Sequence, residues 1–256
     1  MGRESFMVVL PARYGSKRFP GKPLVDIAGR PLIEWVYRRA VAIPGAQEVL
    51  VATDDQRIAD AVVSFGGNAV MTGAGHATGT DRVAEVAADR DVQYIVNLQG
   101  DEPIFDPTLV VELVRLLSSS PDTDITTACH RIDSDEQFND PNIVKVVVDR
   151  NKRALYFSRA PIPSGALNTE GAAALRHVGV YAYKRESLIK FTSLHSTPLE
   201  RAERLEQLRA LENGMVIRVV VADQPTLGVD VPDDVKKVEK ALGTIYTDRD
   251  SFRDDT

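Results

Sequence analysis

The stretch Leu10–Leu24 reads LPARYGSKRFPGKPL and gathers Arg13, Lys17, Arg18 and Lys22 with no acidic residue among them. Cations held this close repel one another unless a polyanion lies between them. Arginine and lysine donate charge-assisted hydrogen bonds to phosphate oxygens, and Gly15 and Gly21 let the backbone approach those oxygens closely. A solvated basic loop is the bland alternative, and the rigid prolines and the apolar run before the loop argue against it. The loop is not a Walker A motif, which needs Lys followed by Ser or Thr at a fixed glycine spacing. Here Gly15 and Gly21 stand too far apart, and Pro23 follows Lys22.

The acidic complement lies elsewhere in the chain. Asp101 in QGDEP follows an apolar run, and Asp230 sits in GVDVPDD. Carboxylates at strand ends are common Mg²⁺ ligands in phosphate chemistry, where the ion keeps several waters and takes only one or two side chains. The competing role for such a carboxylate is a helix N-cap. Asp106 before Pro107 is read as a cap, and Asp233 and Asp234 as first-turn residues of a terminal helix. A third loop, Gly73–Arg82 (GAGHATGTDR), spells GxGxxxG, one residue too long for a dinucleotide fingerprint. Cys129 falls in an apolar run and reads as a small core residue.

Short β-branched runs alternating with amphipathic stretches must position these groups. Strands are expected at Phe6–Pro11, Val49–Thr53, Ala69–Thr72, Tyr94–Leu98 and Ile125–Cys129, and helices at Pro31–Ala42, Gln56–Phe65, Gly79–Arg90 and Pro107–Leu117. The alternation predicts an α/β fold with a mostly parallel sheet. From about Asn142 the rhythm changes. VKVVVD, ALYFS and HVGVYAYK read as strands with no long helix between the first two, which predicts antiparallel pairing. Helices at Glu186–Ser193 and Pro198–Asn213, the strand VIRVVVA and a last helix over Pro232–Leu242 follow. The expected organisation is one α/β domain over 1–242, with a small antiparallel insertion near 150–195, and a polar tail over 243–256. In such sheets ligands bind beyond the carboxyl ends of the strands. The unusual segments, including Thr53–Asp55 (TDD) and Asp223–Asp234, all fall at those ends.

Composition narrows the function classes. The chain has 256 residues and a formal net charge of -6, which disfavours general nucleic-acid binding. A single cysteine permits no intrachain disulfide, as in reducing compartments. MGRESFMVVLPAR has too short an apolar run for a signal peptide, Phe6 breaks the myristoylation pattern, and no run is long enough to insert in a membrane. A cytoplasmic protein is expected.

Taken in order, LPARYGSKRFPGKPL, VATDD, GTDR, NLQGDEP, KVVVD, ALYFSRAPIP, RHVGVYAY, LEQLR and GVDVPDD resemble the 3-deoxy-D-manno-octulosonate (Kdo) cytidylyltransferase family over about residues 6–242. The first loop alone indicates the wider sugar nucleotidyltransferase class; SRAPIP, RHVGVYAY and LEQLR make the match specific. The resemblance implies a nucleotide-diphospho-sugar transferase-like fold, a homodimer, and Mg²⁺-dependent conversion of CTP and Kdo, a 2-keto-3-deoxy acid sugar, to CMP-Kdo and pyrophosphate. It implies that Arg13, Arg18 and Lys22 grip the triphosphate and, with Asp101, form the catalytic set. Asp101 and Asp230 would hold the metal. Thr78, Gly79, Thr80, Arg82 and Gln99 would join Arg13 and Lys22 in binding the nucleotide, and Lys17 is left as a solvated neighbour. Arg159, His177, Tyr181, Glu206 and Gln207 resemble the sugar-binding set, with Arg159 as a bidentate partner for the sugar carboxylate.

Plainer roles stay open for part of that set. His177 and Tyr181 share one face of a strand and could be edge-of-core residues. Glu206 and Gln207 could lie on the solvated side of a helix whose Leu199, Ala202, Leu205 and Leu208 pack inward. The third loop departs from the family form D-H-x-S-G-T-[DE]-R, with Gly75 and Thr78 replacing the acid and the serine. The 8-amino analogue of Kdo or a sialic acid would offer the same carboxylate and anomeric hydroxyl. A catalytically silent nucleotide-binding homologue would have lost a loop cation or metal carboxylate, and none is missing here.

Overall fold

The structure is a computed structural model that describes residues 5–15, 19–224 and 226–247. The first half comprises β1 (Phe6–Ala12), β2 (Asp26–Ile27), β3 (Arg30–Pro31), α1 (Leu32–Val41), β4 (Ala46–Thr53), α2 (Gln56–Ser64), β5 (Ala69–Met71), α3 (Gly79–Ala88), β6 (Tyr94–Asn97) and α4 (Pro107–Ser119). The second half comprises β7 (Ile125–Arg131), α5 (Asp135–Asn139), β8 (Lys145–Val148), β9 (Ala154–Ser158), β10 (Leu175–Lys184), α6 (Arg185–Ser193), α7 (Pro198–Glu203), α8 (Gln207–Glu212), β11 (Ile217–Val221) and α9 (Asp234–Thr247).

Seven strands form the main path of one sheet in the order β11-β7-β10-β6-β1-β4-β5. All neighbours on it are parallel except at β10, which runs antiparallel to both β6 and β7. The β8–β9 hairpin joins through β8 to β10. The antiparallel part is therefore not set apart from the sheet, because β10 lies inside it. The reason is burial on both faces: Val178, Val180 and Ala182 pack into one core cluster and Leu175 and Tyr183 into the other.

Side-chain alternation builds both layers. Along β1, Val8 and Leu10 face the cluster that holds Ile33 and Val36 of α1 and Leu113 of α4. Met7 and Val9 face the cluster of Val83 and Val86 of α3, Leu188 of α6 and Leu208 of α8. A strand buried on both faces has no polar alternation, which is why FMVVLPA reads as a continuous apolar run. Truncating a fully buried leucine such as Leu113 would cost about 2–5 kcal/mol.

Three expected elements differ, one of them the last helix, which runs through Thr247 and so enters the expected 243–256 tail. Pro31 pairs with Asp26 in the small β2–β3 ladder, so α1 starts at Leu32 with Pro31 as its N-cap. The single helix expected over Pro198–Asn213 is two helices, because Arg204 adopts a left-handed φ of 56°. Its break leaves Leu199 38% exposed and Ala202 on the surface, while Leu205 and Leu208 remain buried.

Candidate active site

The carboxyl ends of β1 and β6, with the start of α3, converge on one cavity of about 360 Å³. Arg13, Gly15, Lys22, Thr78, Gly79, Arg82, Gln99 and Asp101 are among its lining residues. The basic loop leaves β1 and returns under Tyr14, whose carbonyl accepts from the Gly21 N–H at 2.9 Å. Gly21 has a φ of 72°, and a side chain there would press on the Tyr14 ring, so glycine is required on both counts. Arg18 and Lys17 lie outside the described residues.

Lys22 is the pivot of this loop. Its ammonium donates to the Asp101 carboxylate and, at 3.0 Å, to the Val229 carbonyl. The Val229 N–H in turn donates to the Asp101 carbonyl at 2.9 Å, so the Asp101 and Asp230 segments are stitched together. Asp106 accepts from the Thr108 N–H at 2.9 Å and caps α4, as expected. Asp234 takes the Asp230 and Val231 N–H groups, and this helps hold its own carboxyl below the usual range despite partial burial. Glu102, which the sequence reading did not single out, is pushed up to about 7 by burial and by the neighbouring Asp101, with Asp230 adding to the effect. Its signal was only its place beside Asp101 in QGDEP.

The third loop is held from three directions. Thr78 is the N-cap of α3, with its hydroxyl accepting from the Asp81 N–H at 3.1 Å in a reciprocal capping box. Glu206 at the start of α8 accepts from the Thr78 and Thr80 hydroxyls, each at 2.9 Å, and Arg209 donates to the same carboxylate at 3.1 Å. Burial raises the Glu206 carboxyl above the usual range, against the lowering effect of the two hydroxyls and Arg209. The Thr78 hydroxyl thus serves both as the cap of α3 and as a donor to Glu206. Arg82 is 4% exposed and committed to Asp54 at 3.0 Å and to the Thr72 hydroxyl. Arg82 therefore braces the loop and presents little free charge to a ligand. His76, another lining residue, pairs with Glu85, which also takes the Gly73 N–H at 3.0 Å.

The remaining expected residues form a second group beyond the cavity lining. The β10 register shifts between Val178 and Tyr181, where the Thr127 hydroxyl donates to the Val180 carbonyl at 2.8 Å. This bulge sets Gly179 against Gln99: a methyl there would lie 3.5 Å from the Gln99 side chain. His177 and Tyr181 lie with ring centroids 5.4 Å apart, and Phe157 meets His177 edge-on at 5.0 Å. His177 is half-buried, and burial pushes its imidazole down to about 3. Burial likewise raises the Tyr181 hydroxyl, which stays a neutral hydrogen-bonding group. Arg159 lies beside α7, with Nε donating to the Glu203 carbonyl at 3.0 Å. Gln207 is buried, not on a solvated helix face.

Phosphate-type donors facing a carboxylate pair at the strand ends of a parallel sheet are the arrangement of a nucleotidyltransferase, and comparison with known proteins places the chain among them. The chain is similar in fold, at 17% identity and a TM-score of 0.65, to a cytidylyltransferase from Leptospira borgpetersenii serovar Hardjo-bovis, covering 98% of this chain and 92% of that one. A family model described as cytidylyltransferase matches residues 7–217. The 3-deoxy-manno-octulosonate cytidylyltransferase of Syntrophotalea carbinolica is 50% identical over 246 residues, 93% of this chain and 98% of the relative. A solved structure of CMP:2-keto-3-deoxy-manno-octonic acid synthetase complexed with CTP superimposes with a TM-score of 0.89 at 44% identity, covering 95% of this chain and 100% of that one. The chain belongs to the 3-deoxy-manno-octulosonate cytidylyltransferase family.

Proposed function

We propose that the protein activates Kdo for lipopolysaccharide synthesis by transferring the cytidylyl group of CTP to its anomeric hydroxyl and releasing pyrophosphate. The observation that carries this reading is the junction of Lys22, Asp101 and the Asp230 segment at the mouth of a cavity lined by Arg13 and the Thr78–Arg82 loop. In-line attack on the α-phosphorus needs little covalent help from a protein; it needs positioning and charge neutralisation. Arg13 and Lys22, with Arg18, donate to the β- and γ-phosphates and to the charge that builds up on departing pyrophosphate. Removing one such donor costs on the order of 10²–10³ in turnover.

Asp101 and Asp230 fit a hard divalent cation such as Mg²⁺. An ion of this kind keeps several waters and needs only one or two carboxylates from the protein. Burial first, and then the Asp101 and Asp230 charges, raise the Glu102 carboxyl beside them. When bound, Mg²⁺ neutralises phosphate charge and acidifies the attacking hydroxyl, so no side chain is assigned as a dedicated base.

Gln99 and the Thr78–Arg82 loop face the nucleoside, and Arg159, His177, Tyr181, Glu206 and Gln207 the sugar acid. His177 and Tyr181 are neutral, which suits them to hydrogen-bond hydroxyls, and leaves the sugar carboxylate to Arg159. The protein acts as a homodimer in this reading. Support comes from β9, which pairs with β8 alone among the described strands and exposes Leu155 by 58%.

Isotope tracing tests the reaction type. Kdo labelled with ¹⁸O in its anomeric hydroxyl, incubated with CTP and Mg²⁺, should retain the label in the oxygen bridging sugar and phosphorus. A bridging oxygen without label, in product formed from Kdo that itself still carries the label, would mean that the sugar hydroxyl is not the nucleophile.

A further inference from the structure

Two side chains that the proposed chemistry does not use, the buried Lys145 and the half-buried Glu203, converge on Arg159. Lys145 in β8 is 0% exposed, and its ammonium donates to the carbonyls of Asp140 at 2.9 Å, Ile143 at 2.6 Å and Arg159 at 2.7 Å. A buried ammonium is tolerated when its three donors are all taken, and here they are. Glu203, the last residue of α7, holds the same arginine at two further points. One carboxylate oxygen accepts from the Ser158 hydroxyl at 2.5 Å and the other from the Arg159 N–H at 2.9 Å. The Glu203 carbonyl accepts from Arg159 Nε at 3.0 Å. Arg159 Nη1 donates to the Pro141 carbonyl at 3.1 Å, in the segment that Lys145 also ties down.

Main chain and guanidinium of Arg159 are therefore both fixed, by bonds that engage Nε–H and one Nη1–H. The Nη2 edge and the second Nη1–H are the donors suited to a carboxylate. The left-handed Arg204 makes this possible. In an unbroken helix Glu203 and Glu206 would lie on one face. The break sends Glu203 to Arg159 and Glu206 to Thr78 and Thr80.

We propose that Glu203 is a positioning residue for the sugar-acid subsite, aiming the Arg159 guanidinium at the sugar carboxylate while Lys145 anchors the carbonyl of the same arginine. The proposal rests on Arg159 being the carboxylate partner, and the test separates the two. Steady-state KM values for Kdo and for CTP are measured in Glu203→Ala, Glu203→Asp, Arg159→Ala and the Glu203→Ala/Arg159→Ala double variant. Glu203→Ala should raise the KM for Kdo about tenfold and leave that for CTP unchanged. Glu203→Asp keeps the charge but withdraws one methylene, and should raise it about threefold; it decides the matter if Glu203→Ala does not fold. In the Arg159→Ala background, removing Glu203 should add nothing to the KM for Kdo, a non-additivity that a merely structural role does not produce. A threefold or larger rise in Arg159→Ala with none in either Glu203 variant, or fully additive effects, overturns the Glu203 proposal alone. No change in Arg159→Ala overturns the reading of Arg159 beneath it.

Discussion

The ammonium of Lys22 and the carboxylate of Asp101 form an ion pair across 79 residues of sequence, joining the loop after β1 to the loop after β6. Both side chains are largely shielded, with 13% and 31% of their surface exposed. The cation proposed to bind phosphate and the carboxylate proposed to bind the metal thus occupy one point in space. That coincidence is what a metal–triphosphate complex requires, since phosphate and cation charges must be met together.

Asp101→Asn keeps the shape of the side chain and removes its charge. Turnover should fall by about two to three orders of magnitude at limiting Mg²⁺ with little change in melting temperature. Near-normal turnover in a Mg²⁺ titration would show that Asp101 is not a metal ligand.

Lys22→Ala removes the cation proposed to face the β- and γ-phosphates. Calorimetric titration should show CTP binding weakened about tenfold or more, with CMP binding almost unaffected. Equal losses for the two nucleotides would place Lys22 away from the terminal phosphates.

Glu206 links the nucleotide loop to α8 through two threonine hydroxyls. Glu206→Ala leaves those hydroxyls and Arg209 without their acceptor and should cost about 2–3 kcal/mol in denaturant unfolding. It should also raise the KM for CTP, because Thr78 caps the helix that bears the loop. An unchanged KM for CTP would confine Glu206 to the sugar side.

His177 supplies a pH dependence whose sign follows from burial. Its folded-state pKa of about 3 lies below the unfolded value, so the unfolded chain binds the extra proton between the two. Its contribution is fully present above about pH 6.5 and is lost as pH falls toward 3, with a slope of up to about 1.4 kcal/mol per pH unit. Urea unfolding of the native protein and His177→Gln at a series of pH values isolates this term from the carboxylates. Identical slopes for the two proteins between about pH 4 and about pH 6 would contradict it.

Much of this architecture is legible in the sequence because burial leaves a pattern. FMVVLPA, buried on both faces, is a continuous apolar run, and the loops beyond the strands carry glycine, proline and charge where α/β sheets bind ligands. Other features leave no such trace. The break at Arg204 has no glycine to announce it, and the amphipathic pattern runs through it. The place of β10 between β6 and β7 depends on which strands find each other, which local periodicity does not encode. Lys145 and Glu203 read as ordinary surface charges, because the partners that join them to Arg159 lie 14 and 44 residues away in sequence. Arg82 is legible only in part. It reads as a ligand-facing cation and does line the cavity, but its ties to Asp54 and Thr72 leave no mark in the local sequence.

Pyrophosphate release measured with Mg²⁺, each of the four nucleoside triphosphates, and Kdo, its 8-amino analogue or N-acetylneuraminate tests the central claim most directly. The account predicts rapid release with CTP and Kdo, and little with the other nucleotides or with N-acetylneuraminate. Release with CTP and the 8-amino analogue in preference to Kdo would move the assignment to that acceptor. No release with CTP and either octulosonate would contradict the account outright.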